Sequence, residues 1–158
     1  MNFSFNLSIP TDLAIIFGIL GSLLTFFKGV LEYSRQGSEK RANRFFKLEH
    51  EFLSNAAYKT ICNYLENDDL ELSKISYEDK VSFLGFLEQI ALLVNSKLLS
   101  IEVASYVYGY YVMKCAESKN FWTKELDRES DYWILFFSFS RKCSQIKPEN
   151  INPDKLKF

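Results

Sequence analysis

Proline and glycine are scarce in this 158-residue chain, at three and six residues. So few turn formers disfavour a many-turned β-sandwich. Histidine is scarcer still, since His50 stands alone. A histidine metal centre or a Ser-His-Asp triad would have to be built around that one ring, and no supporting motif flanks it. The three cysteines, Cys62, Cys115 and Cys143, are widely spaced and form no CxxC, so neither a zinc site nor a thioredoxin-type motif is signalled. Reduced and apolar, they are expected simply to pack. The chain also lacks a P-loop, a GxGxxG and a GxSxG. It has no internal repeat and no low-complexity segment. No cofactor or metal is therefore expected. Nor is there an excess of one charge: 19 Lys and Arg face 20 Asp and Glu, a net of -1. That balance excludes a histone-like binder of long nucleic acid.

Aromatic residues are abundant instead, at 16%, with 15 Phe, 9 Tyr and 2 Trp. The near-neutral total also conceals an order. Residues 1–27 carry one ionisable side chain, Asp12; residues 28–47 are net +4; residues 48–158 are net -4. From Leu13 to Phe27 there are 15 residues without a charge. If Lys28 snorkels toward headgroups, the apolar stretch extends to Leu31, roughly 28 Å at the helical rise. Pro10, with Thr11 or Asp12 as N-cap, marks its start. No basic n-region precedes it, which argues against a cleaved signal peptide. A transmembrane helix is expected, with a buried core helix as the alternative. The basic residues that follow, Lys28, Arg35, Lys40 and Arg41 among them, place the C-terminal side in the cytoplasm and the N-terminus outside. They also suit anionic headgroups. Ala14, Gly18, Ser22, Thr25 and Gly29 recur every three or four residues and share one helical face. Small residues let helices approach closely in lipid, so this face is the expected oligomer seam.

The remainder reads as helical. Residues 1–36 form the N-terminal segment and span, and residues 37–158 a compact cytoplasmic domain of about four helices, an all-α fold. Gly37 and Ser38 are expected to interrupt the chain before an amphipathic helix over 39–65. Glu66, Asp68, Asp69 and Glu71 mark an acidic loop over 66–75, without the alternating carboxylates of a calcium loop. Ser76, with Asp79 three residues on, caps the next helix, whose apolar face is broad enough for a central position. Ser100 caps a fourth helix, which Ser118 to Asn120 break. Trp133, Phe136, Phe137 and Ser140 line a last one. The tail from Lys147 to Phe158 carries Pro148 and Pro153.

Two constellations carry candidate chemistry. Lys114, Lys119, Asn120, Trp122 and Lys124, with Tyr110, Tyr111 and Phe121 among them, combine rings that stack bases, an amide that reads base edges and ammonium groups that neutralise phosphate. The plain alternative is core aromatics with solvated lysines, and Asn120 also suits a helix N-cap. The second is Arg44, five residues, then His50. This resembles the R-x4-6-H motif of HEPN ribonucleases, in which Arg steadies charge and His moves protons. The residue after that arginine is usually polar in the family, and here it is Phe45.

The layout as a whole resembles two groups. One is a set of small single-span bacterial proteins with the phrasing F-x-x-x-x-E-x-I-A-L-L-V and then S-x-E-V. Here that reads Phe83 to Val94, with Glu88, Ile90 and Ala91, then Ser100, Glu102 and Val103. The other is the membrane-bound ancillary effectors of type III CRISPR systems, which bind cyclic oligoadenylates with a cytoplasmic helical sensor. That resemblance implies a homotetramer in the inner membrane, with cyclic tetra-adenylate on its axis and membrane disruption as the output. The expectation is a non-catalytic, oligomeric sensor or effector. A membrane-tethered protein-interaction scaffold and a HEPN-like ribonuclease are the alternatives.

Overall fold

A computed structural model describes residues 11–146 together with Ile151 and Leu156; for residues 11–22 and 34 it describes the backbone alone. Every regular element among the described residues is helical. In order they are α1 (Thr11–Ser54), α2 (Ala56–Glu66), a 3-10 turn (Leu70–Lys74), α3 (Tyr77–Asn95), α4 (Ile101–Glu117), a second 3-10 turn (Asp131–Trp133) and α5 (Ile134–Ser144). The chain divides into two compact units, Met1–Lys40 and Arg41–Phe158, with α1 contributing to both.

In the first unit the expected break at Gly37 and Ser38 does not occur, and α1 continues through both residues. A single helical glycine costs only about 1 kcal/mol. Glu32 accepts from Arg35 at 3.0 Å and from Gln36 at 3.1 Å, and Arg35 reaches Glu39 at 3.9 Å. Such pairs, one turn apart, each return about 0.2–0.5 kcal/mol. The Arg35 guanidinium and the Gln36 amide hold the Glu32 carboxyl below its usual value. Among the described residues no helix is long and apolar enough to cross a membrane. Of the expected span, Leu13 to Leu31, the side chains as far as Ser22 lie outside the described residues. From Leu23 onward the apolar side chains are bare: Leu23, Leu24, Phe26, Phe27, Val30 and Leu31 are all exposed.

In the second unit the helix expected over 39–65 is two. α1 ends at Ser54, and Asn55 leaves the helical conformation to cap α2, its Oδ1 accepting from the amides of Ala57 (2.9 Å) and Tyr58 (3.2 Å). The apolar stripe runs unbroken through this corner, so periodicity alone could not reveal it. The acidic loop is partly ordered by the 3-10 turn Leu70–Lys74, which Asp69 caps. Ser76 and Ser100 cap α3 and α4 as expected; the Ser76 hydroxyl both accepts from the Asp79 amide and donates to its carboxylate. α3 is the central helix, burying Lys80, Phe83, Leu84, Phe86, Leu87, Ile90, Ala91 and Leu93.

The aromatic excess becomes a continuous line of rings. Phe45 meets Tyr108, which meets Phe52 (5.3 Å) and Phe86 (5.7 Å). Tyr58 lies 5.5 Å from Phe83, which leads through Phe121 to Trp122 and on to Phe137, stacked at 5.3 Å. Each such pair adds about 0.5–1.5 kcal/mol beyond burial. α5 has no side-chain cap of its own. Glu88 on α3 supplies one by accepting from the Phe136 amide at 3.3 Å. Of the tail, Leu156 packs against the core, and most of the rest lies outside the described residues.

Candidate functional site

The segment expected to bind a ligand gathers instead around a carboxylate from elsewhere. Asp68 follows α2 in the left-handed conformation, with φ 48°. That region suits Asp and Asn better than most residues. Its carboxylate accepts from the Ser118 hydroxyl, the Lys119 amide (3.0 Å) and the Asn120 amide (3.2 Å), while the Asn120 side chain donates back to the Asp68 carbonyl. Ser118 Oγ also accepts from the Phe121 amide at 2.8 Å. Burial pushes the Asp68 pKa up, but the bonds from Ser118, Lys119 and Asn120, with the Lys119 charge, outweigh it and leave it lowered. Asp68 thus clasps the end of α2 to the end of α4. Asn120 is held in this clasp and caps no helix.

The other expected contacts divide in the same way. The Trp122 indole N–H donates to the Cys115 carbonyl at 2.9 Å, and its ring is half-buried against Phe137. Phe121 is fully buried. Lys114 donates to the Glu66 carbonyl at 3.1 Å and lies 5.8 Å over the Tyr110 ring, which is half exposed. Lys119 and Lys124 are exposed. Lys124 borders a groove with Lys80, Thr123 and Glu125. A larger groove of about 520 Å³ lies at the α3–α4 turn, bordered by Arg41, Lys97 and Leu98.

Of the basic collar, Lys28, Arg35 and Lys40 are exposed and Arg41 is half-buried. Of the small-residue face, Ala14, Gly18 and Ser22 lie outside the described side chains; Thr25 and Gly29 are exposed, and a Cβ at Gly29 would meet nothing within 4 Å. Arg44 and His50 are both exposed on α1, while Phe45 between them is buried against Tyr108. Six residues along a helix set them about 120° apart, off a common face.

The cysteines are free and buried. Burial raises the Cys62 pKa to about 12, with Glu66 adding to it, and lifts Cys115 well above a normal thiol. Neither is a thiolate near neutral pH. Among the described residues no three His, Cys, Asp or Glu side chains group as metal ligands. Comparison of the chain with protein families, curated proteins and solved structures finds no match.

Two residues of consequence, Asp68 and Ser118, were not among the expected ones. The signal for Asp68 was local: a short acid just after a helix, where a left-handed turn is common. Nothing local pointed to a partner 50 residues away.

Proposed function

We propose that this protein is an oligomeric, membrane-anchored sensor or effector. Its helical domain binds a cyclic nucleotide second messenger, cyclic tetra-adenylate foremost, and perturbs or opens the inner membrane in antiviral defence. The observation that carries the reading is the exposed surface of α1 between Leu23 and Leu31. At 100° per residue its six large apolar residues cover an arc of about 160°. Thr25 and Gly29 fall opposite, in line with the positions of Ala14, Gly18 and Ser22. A broad apolar arc suits lipid and a narrow small-residue seam suits a neighbouring helix. The exposed Lys28 lies within this stretch, near its end, and the exposed Arg35 and Lys40 follow it; all three suit a cytoplasmic headgroup layer.

For the ligand, the support is the layout shared with the cyclic-oligoadenylate effectors. With Trp122 and Asn120 engaged inside the fold, the available stacking surface is Tyr110 with Lys114 over its ring, and Lys119 and Lys124 supply exposed charge. A ligand of four bases and four phosphates on a four-fold axis asks only this much of each subunit. The test is thermal unfolding of the detergent-solubilised full chain with cyclic oligoadenylates of different ring size. Cyclic tetra-adenylate at ~100-fold over its Kd is expected to raise Tm by about 5–10 °C. No shift with any ring size overturns the ligand.

A scaffold for a protein partner is the second reading, and Tyr106 favours it. It is 64% exposed, one turn from Tyr110 on α4. Exposed tyrosines are common anchors of protein interfaces. Tyr106→Ala that abolishes partner capture while no cyclic oligoadenylate shifts Tm selects the scaffold.

A further inference from the structure

Lys80 is the one charged residue buried with the core, 1% exposed, among the described residues. It stands on the first turn of α3. Its ammonium lies 5.5 Å from the Phe121 ring centre, over the face of the ring. It makes no hydrogen bond and no ion pair with any described residue. Lys80 Nζ is not among the buried side-chain atoms left without a partner, so the side chain is enclosed while its ammonium still meets solvent.

The side chain borders a groove of about 250 Å³, whose rim carries Ser73, Tyr77, Thr123, Lys124 and Glu125. Two lysines against one glutamate leave the groove positive. Its volume falls below the roughly 300–1,000 Å³ of sites for drug-sized ligands, so a nucleotide is too large and a small ion fits. Four of its lining residues carry donors: the Lys80 and Lys124 ammoniums and the Tyr77 and Thr123 hydroxyls. Thr123 Oγ1 accepts from the Leu126 amide, which leaves its proton free to donate. Ser73 donates to the Leu70 carbonyl and can only accept.

We propose that this groove is a binding site for a small tetrahedral oxyanion, phosphate or the head of a phosphomonoester, held by Lys80 and Lys124 with Tyr77 and Thr123. A tetrahedral oxyanion presents three or four oxygens and up to two negative charges to two ammoniums and two hydroxyls, where a carboxylate presents two oxygens and one charge. Burial lowers the Lys80 pKa while Cys115 and Glu125 work to raise it, and a seated anion would favour the charged form further. The site shares Lys124 with the cyclic-nucleotide reading, while Lys80, Tyr77 and Thr123 belong to this groove alone, so either reading can fail without the other.

The experiment is thermal unfolding of the full chain in detergent, titrated with inorganic phosphate at constant ionic strength, with chloride and acetate as comparison salts. Saturating phosphate is expected to raise Tm by about 3 °C or more beyond chloride, and acetate to do far less. Lys80→Met and Lys124→Ala are expected to abolish that rise. Lys124 is exposed, so its variant decides the matter if Lys80→Met fails to fold. The proposal is overturned by a phosphate effect no larger than that of chloride, by an undiminished effect in Lys124→Ala, or by acetate acting as strongly as phosphate. Phosphate stabilisation without any response to cyclic tetra-adenylate upholds this site and removes the other.

Discussion

Asp68 does at the residue scale what no aromatic does: it joins two segments distant in sequence through charge-assisted bonds. Bonds of this kind are worth about 1.5–3 kcal/mol where buried, less where water competes, and Asp68 is only half-buried. Asp68→Ala is therefore expected to lower stability by about 1–2 kcal/mol in urea unfolding. The pH dependence has a definite sign. The folded pKa of Asp68 is lowered, so its contribution is present above the unfolded value of about 3.9 and is lost as the pH falls through the lower folded value. Asp68→Asn keeps a residue suited to positive φ and removes the charge, and its stability should lose that part of the acid dependence. A second residue runs the other way. The Tyr108 hydroxyl is buried in the aromatic line with no hydrogen-bond partner among the described residues, and burial raises its pKa. Removing an unsatisfied buried hydroxyl recovers about 1–3 kcal/mol of desolvation. Tyr108→Phe should therefore unfold at higher urea; a loss of stability would show that the hydroxyl has a partner.

At the scale of elements, end signals were more legible than interruptions. Ser76 and Ser100 were readable because capping is local: the side chain bonds an amide two or three residues on. Gly37 misled because glycine weakens a helix without ending it, and the Glu32–Arg35–Glu39 pairs carry α1 past it. Asn55 was missed for the opposite reason, since it turns the chain while the apolar period continues on both sides. Asn55→Ala should cost about 0.5–2 kcal/mol, read by urea unfolding, through loss of two amide bonds at the start of α2. Glu88 shows what sequence cannot display. It caps a helix from another element, 48 residues away, and the burial that raises its pKa is a property of the assembled bundle. The candidate site was legible only in part for the same reason. Residue types told that Lys114 to Lys124 held rings, amides and cations together. They did not tell that Asp68 and Cys115 would take the polar atoms of Asn120 and Trp122.

Across the whole molecule, the opening scarcities divide the chain's work. With few turns and no pairing cysteines, the second unit is held by helix caps, an aromatic line and one carboxylate clasp. The balanced charge is a cancellation of a neutral run, a basic collar and an acidic body. Both functional readings, sensor and scaffold, require the neutral run to sit in lipid. The most direct test is extraction of membranes from cells making the full chain with alkaline carbonate. The account predicts that the protein stays in the membrane pellet and needs detergent to leave it. Release into the carbonate supernatant would contradict the anchor, and with it both readings.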